Sequence, residues 1–254
     1  MGILKDKKLR SVMQNWQSGF VATTYWFKSL SVSPQLVQKY IKSGWIEAIG
    51  RGAYKKPKDT INWYGGLACI QQQLNVHLGG ATALSIRGNS HYVRFGKEKV
   101  FLFSDINQKL PKWFLDYDWG NPIEVIKTSF LPQNLAINPY EFNSFSIEAS
   151  SPERAILECL YLSPDHFDLL ECYQILEGLN NLRPDVLQDL LIGCNSIKVK
   201  RLFLYMAKKA KLPVLEYIDL DKIDLGSGKR YLTKKSVYEK EFKISIPKEL
   251  VDYV

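Results

Sequence analysis

The stretch from Phe20 to Lys58, FVATTYWFKSLSVSPQLVQKYIKSGWIEAIGRGAYKKPK, restricts this chain more than any other, because start and stop signals follow one another at short intervals. Before it, Leu4, Leu9, Val12, Met13 and Trp16 recur at three- and four-residue spacing with Lys5, Lys8 and Arg10 on the opposite side, an amphipathic helix that Gly19 breaks. Thr23 or Thr24 can then accept a hydrogen bond from the free amides of a short helix ending near Leu30. Ser31-Val32-Ser33 makes a turn. Ser33 caps the next helix, and Pro34 takes the first helical position, where a missing N–H costs nothing. That helix runs to Ser43, and Gly44 supplies the left-handed residue that ends it.

Trp45–Ile49 reads as a strand, Gly50-Arg51-Gly52 as a turn and Ala53–Lys56 as the return strand, with Pro57 closing the unit. Helix, turn, helix and basic-tipped hairpin make the layout of a winged helix-turn-helix, a module that lays its second helix in the major groove of DNA. Leu36, Val37, Tyr40 and Ile41 share the face that packs inward, whereas Gln35, Gln38, Lys39 and Lys42 share the other. Glutamine amides match adenine edges and lysine ammonium groups reach guanine or phosphate. Ser33 at the helix start, Arg51 at the wing tip, and Lys55 and Lys56 along the wing complete the expected DNA-contacting set. Trp45 and Tyr54 are expected in the core at the base of the wing.

Charge supports a polyanionic partner. Residues 1–58 carry 11 Lys and Arg against 2 acidic residues, residues 59–196 carry 9 against 16, and residues 197–254 carry 14 against 8. Two basic ends joined by an acidic middle fit nucleic-acid contact better than an evenly charged surface would. The 254-residue length suits a small module, residues 1–58, followed by a larger body, residues 59–254. No run of about 18 apolar residues occurs, and MGILKDKKLR lacks the apolar core of a secretory signal, so a cytoplasmic protein without membrane contact is expected. Cys69, Cys159, Cys172 and Cys194 are scattered without a C-x-x-C pair and read as buried thiols.

In the body, Asp59-Thr60 opens a helix to about Leu74, and a loop containing Gly79-Gly80 leads into a short helix that stops at Gly88. Close backbone packing explains the paired glycines better than a phosphate cradle. Strands are expected at 100–103, 123–128 and 145–148, then helices at about 152–162, 165–178, 184–193 and 197–211, with Pro164, Gly178, Pro184, Gly193 and Pro213 at their boundaries. The tail from Ile218 returns to strand and turn, with Gly226-Ser227-Gly228 as a hairpin turn. The whole is α+β: an N-terminal winged helix-turn-helix followed by a larger mixed α/β C-terminal domain. In the helix from Ser196, Lys198, Lys200, Arg201, Lys208 and Lys209 surround an apolar face, and with Lys229 and Arg230 in the later turn they form an expected second basic surface.

Catalytic and metal-binding patterns are missing. His77, His91 and His166 are far apart, no H-E-x-x-H occurs, and Gly226-Ser-Gly-Lys229 lacks the spacer and following Ser or Thr of a phosphate loop. No cofactor and no metal is expected. Glu241-Phe-Lys243 keeps one alternative open, a metal-dependent nuclease with a DNA-targeting head.

Several ordered blocks carry a more specific signal. LVQKYIKSGWIEAIGRGAY in the head, then NWYGGLACIQQQL, VHLGGATAL, SSPERAILECLYL, SIKVKRLFLYMAKKA and IDLGSGKR in the body, resemble the AbiEi-type antitoxins, transcriptional regulators of type IV toxin–antitoxin systems. The resemblance implies a winged helix-turn-helix that binds inverted repeats of double-stranded DNA in its own promoter and represses the operon, with Gln35, Gln38, Lys39, Lys42 and Arg51 as the contacts. It implies a C-terminal domain that supplies antitoxicity and assists DNA binding, against a nucleotidyltransferase toxin with which no stable complex forms. A monomer in solution that pairs on DNA fits this picture, and a plain transcription factor without a toxin is the second alternative.

Overall fold

The computed structural model describes residues 2–88, 98–142, 145–228 and 236–253, with side chains from residue 7 onward. The head comprises α1 (Gly2–Asn15), β1 (Ala22–Thr23), α2 (Thr24–Ser29), α3 (Pro34–Lys42), β2 (Glu47–Gly50) and β3 (Ala53–Lys55). Its strands form a three-stranded antiparallel sheet in the order β1-β3-β2. Local chemistry sets the helix boundaries. Thr23, rather than Thr24, caps α2 by accepting from the Trp26 amide at 3.3 Å. Ser33 caps α3 through the Leu36 amide at 3.3 Å, and Gly44, at φ +71°, ends it. Each such cap is worth about 1 kcal/mol.

The body is built on a mixed five-stranded sheet of β4 (Val76–Leu78), β5 (Val100–Ser104), β6 (Ile123–Lys127), β7 (Ile137–Phe142) and β8 (Phe145–Ser150), ordered β6-β5-β4-β8-β7. β5 and β6 are parallel, as are β4 and β8; the remaining pairings are antiparallel. Side chains alternate across this sheet, as the period of two demands. Val100 and Leu102 of β5, Val76 and Leu78 of β4, and Ile147 and Ala149 of β8 join one core. That core also holds Val12, Trp16, Phe27, Val37 and Tyr54 of the head, together with α4 (Trp63–Gln71) and Trp113 and Phe114 of α6 (Lys112–Asp116). Phe101 and Phe103 point the other way, into a core with α5 (Gly80–Ile86), α7 (Pro152–Leu162), α8 (Leu169–Glu177), α9 (Pro184–Gly193) and α10 (Ile197–Lys209). A hairpin of β9 (Ser236–Glu239) and β10 (Ile244–Pro247), followed by α11 (Lys248–Asp252), closes that layer.

Head and body therefore share one core across the sheet, with no packing gap after Lys58. The β2–β3 hairpin itself touches the body: a Cβ on Gly50 would lie 2.6 Å from Cβ of Trp113, so only glycine lets β2 approach α6 this closely.

Several expectations need correction. Asp59 does not start a helix; its carboxylate accepts from the Gly19 amide at 2.9 Å and from Ser18 Oγ at 2.7 Å, and α4 begins at Trp63. β4 and β7 lie where the sequence suggests loops. β4 is three residues long, and β7 contains Pro139, which an edge strand tolerates. Strand is expected from Ile218, but residues 220–222 form a 3-10 turn and residues 218–228 contain no strand, so Gly226-Ser227-Gly228 does not join two strands. The helical segments of α7 and α9 match the expected 152–162 and 184–193.

Candidate nucleic-acid interface

The α3 helix has two distinct faces. Val37 and Tyr40 are buried, with Leu36 and Ile41 packed beside them, while Gln35, Gln38, Lys39 and Lys42 are exposed. These four occupy one side of the helix at three- and four-residue spacing. Arg51 is exposed in the turn between β2 and β3. The polar ends of these five side chains make no hydrogen bond or ion pair among the described residues and face solvent.

The other expected contacts already have intramolecular partners. Ser33 uses its hydroxyl as the cap of α3. Lys55 pairs with Glu47 across the wing at 3.0 Å and reaches the Asp59 carbonyl at 3.3 Å. Lys56 donates to the Trp16 carbonyl at 2.7 Å. Both lysines are half-buried, and they bind the wing to itself and to the end of α1. Tyr54 is buried as expected, but Trp45 is 52% exposed; Ile46 fills the wing-base core in its place. The sequence could not assign that inward position because Trp45 and Ile46 are adjacent apolar residues and alternate faces.

Among the described residues, the expected second basic surface does not form. Lys200 and Arg201 are 3% and 1% exposed. Arg201 donates through Nε to the Leu225 carbonyl at 2.7 Å, through Nη1 to those of Gly228 and Lys243 at 2.6 and 2.8 Å, and through Nη2 to that of Gly226 at 2.9 Å. Lys200 holds the Asp224 carbonyl at 3.0 Å. Lys198 donates to the carbonyls of Tyr161 and Ser163 at the end of α7, where a cation also complements the helix dipole, and burial pushes its ammonium below the usual lysine range. Lys209 donates to carbonyls at the end of α11, reaching that of Tyr253 at 2.7 Å. Lys208 is exposed but paired with Glu241 at 2.6 Å. Lys229 and Arg230 lie outside the described residues. The cause is the position of α10, which packs against α7, α8 and β10 and so has little free face on which to display charge.

A buried polar network joins residues that no sequence pattern connects. Glu158, fully buried on α7, accepts from Arg154 Nε and pairs with His77 Nε2 on one oxygen, both at 2.9 Å. Its other oxygen accepts from the Gly80 amide and Ser150 Oγ, both at 2.8 Å. Burial pushes the Glu158 carboxyl up, but the His77 and Arg154 charges and these hydrogen bonds outweigh it and hold the group below the usual carboxylate range. The amide of the Gly-Gly turn thus serves the protein's own carboxylate. Glu241 is occupied by Lys208, and the Lys243 carbonyl by Arg201, which gives Glu241-Phe-Lys243 a structural part. All four cysteines are buried and none forms a disulfide. No helix among the described residues is long and apolar enough to cross a membrane.

Comparison with known proteins places the chain. Residues 5–95 match the family described as transcriptional regulator, AbiEi antitoxin N-terminal domain. Residues 97–247 match the family described as transcriptional regulator, AbiEi antitoxin, Type IV TA system. No curated protein matches significantly. Among solved structures, the RV2827C protein from Mycobacterium tuberculosis is similar, with a TM-score of 0.60 and 13% identity over 99% of this chain and 93% of that one, a likeness of fold alone. Over nearly its whole length, the chain belongs to the AbiEi family of antitoxin transcriptional regulators of type IV toxin–antitoxin systems.

Proposed function

We propose that this protein binds double-stranded DNA through α3 and the wing of a winged helix-turn-helix, and that it represses its own operon from inverted repeats in the promoter. The observation that carries this reading is the exposed Gln35, Gln38, Lys39 and Lys42 side of α3, with Arg51 at the tip of the adjoining hairpin. Amides and ammonium groups on one helix face suit the hydrogen-bonding edges and phosphates of a major groove, and a guanidinium on a turn suits the neighbouring minor groove. Residues 1–58 are the DNA-reading part in this scheme. The body, residues 59–254, counters a nucleotidyltransferase toxin without a stable complex, in the cytoplasm, and two copies of a monomer pair on DNA.

A footprint on the region upstream of the coding sequence tests the repressor reading. Protection of two half-sites on one face of the duplex, lost when Gln35 and Gln38 are both changed to Ala, supports it. Co-expression with the product of the adjacent gene tests the antitoxin reading: growth rescue by the full chain, with no co-purification of the two proteins, is the expected result.

A further inference from the structure

Trp45 breaks the pattern set by the other five tryptophans. Trp16, Trp113 and Trp119 are buried, and Trp26 and Trp63 pack against the same core, whereas Trp45 is 52% exposed. Its backbone is fixed: the Trp45 amide donates to the Tyr40 carbonyl at 2.9 Å, immediately after the Gly44 amide closes on Ile41 at 3.0 Å. The ring N–H of Trp45 has no hydrogen-bond partner among the described residues. The residue follows the exposed Lys42 by three positions and opens the segment that leads through β2 to Arg51.

That location gives the exposed ring a specific meaning, which rests on the DNA reading above. If α3 lies in the major groove and Arg51 reaches the adjacent minor groove, the segment between them must cross the sugar–phosphate strand that separates the two grooves. Trp45 is the first residue of that crossing segment. We infer that Trp45 packs its indole on the deoxyribose rings of this strand and donates its ring N–H to a phosphate oxygen. An indole combines an apolar plate with a single donor and no acceptor, which matches a surface of sugar carbons edged by anionic oxygens. Lys42, three positions before it, and Arg51, six positions after it, are exposed cations that suit a polyanion. Sugar and phosphate are the same for every base pair, so this contact strengthens binding to any duplex and leaves sequence choice to α3. It also removes no cation when deleted, so it leaves the salt dependence of binding alone.

The test titrates the full chain with a duplex of about 30 base pairs from its own upstream region and with a scrambled duplex of the same length, a span of roughly three helical turns. Tryptophan emission and gel mobility are read together. The expected result is a change in emission on binding that Trp45→Phe abolishes while keeping most of the affinity. Trp45→Ala should weaken both duplexes by roughly tenfold, with an unchanged salt slope and an unchanged melting temperature of the free protein. Unchanged emission together with full affinity of Trp45→Ala would overturn the inference while leaving the DNA reading intact. Loss confined to the upstream duplex would overturn it in favour of a base contact. Altered sedimentation of free Trp45→Ala, with DNA affinity untouched, would overturn it in favour of self-association. Failure of the wild-type chain to bind either duplex would remove the DNA reading and the inference with it.

Discussion

Lys56 Nζ donates to the carbonyl oxygen of Trp16 at 2.7 Å, joining the end of the wing to the end of α1. A lysine that composition alone would place on the DNA is therefore part of the frame that holds the module. Charged donors to buried carbonyls contribute about 1.5–3 kcal/mol, and the half-buried position of Lys56 puts it at the lower end. Lys56→Met should thus lower the free energy of unfolding by about 1.5 kcal/mol in urea denaturation and leave the salt slope of DNA binding unchanged. A stable variant with a shallower slope would return Lys56 to the interface.

Arg201 and Lys208 lie on the same helix but should respond very differently to neutralisation. Arg201 is buried and satisfies four carbonyls, which Arg201→Met would strand. A cost of about 3 kcal/mol or more follows, visible as a lower urea midpoint. Lys208 forms an exposed pair with Glu241, so Lys208→Ala should change stability by less than about 1 kcal/mol. Equal effects in the two variants would contradict the assignment of Arg201 to the interior.

The Glu158 network gives stability an acid limb. Its folded carboxyl titrates below the value it would have in the unfolded chain, so its contribution is fully present above the unfolded value of about 4.3. The contribution is lost as pH falls through the folded value. Glu158→Gln should destabilise the protein at pH 7 by about 3 kcal/mol or more, since it leaves Arg154 buried without its counter-charge. The gap between variant and wild type should narrow as pH drops below about 4, followed by circular dichroism. A gap that stays constant with pH would mean that the Glu158 carboxyl titrates alike in the folded and unfolded chains, and a gap that widens as pH drops would mean that it is protonated in the fold.

Local chemistry was the legible part of this fold. Thr23, Ser33, Pro34 and Gly44 fixed the head because caps and left-handed residues act within one turn of chain. Pro152 and Pro184 located α7 and α9 for the same reason. What the sequence concealed depends on neighbours distant in the chain. The lysines of α10 look solvent-facing in a linear pattern, yet the carbonyls they hold come from residues up to 44 positions away, in the case of Lys209 and Tyr253. His77, Glu158 and Arg154 are separated by up to 81 positions and meet only once β4 lies beside α7. Within the candidate site, the outer face of α3 and the wing tip were readable from periodicity. The partners of Lys55 and Lys56 and the outward turn of Trp45 required the packed wing.

In the proposed complex α3 presents its cations to DNA phosphate, and the salt dependence of binding reads out that contact. Lys39 and Lys42 are exposed, so the double variant Lys39→Ala, Lys42→Ala should melt as the wild type does. Affinity for the upstream duplex is measured for both proteins across a series of salt concentrations. The double variant should bind more weakly, with a plot of log K against log salt that is flatter by roughly two units, about one for each phosphate contact removed. Equal affinity and an equal slope in the two proteins would contradict it.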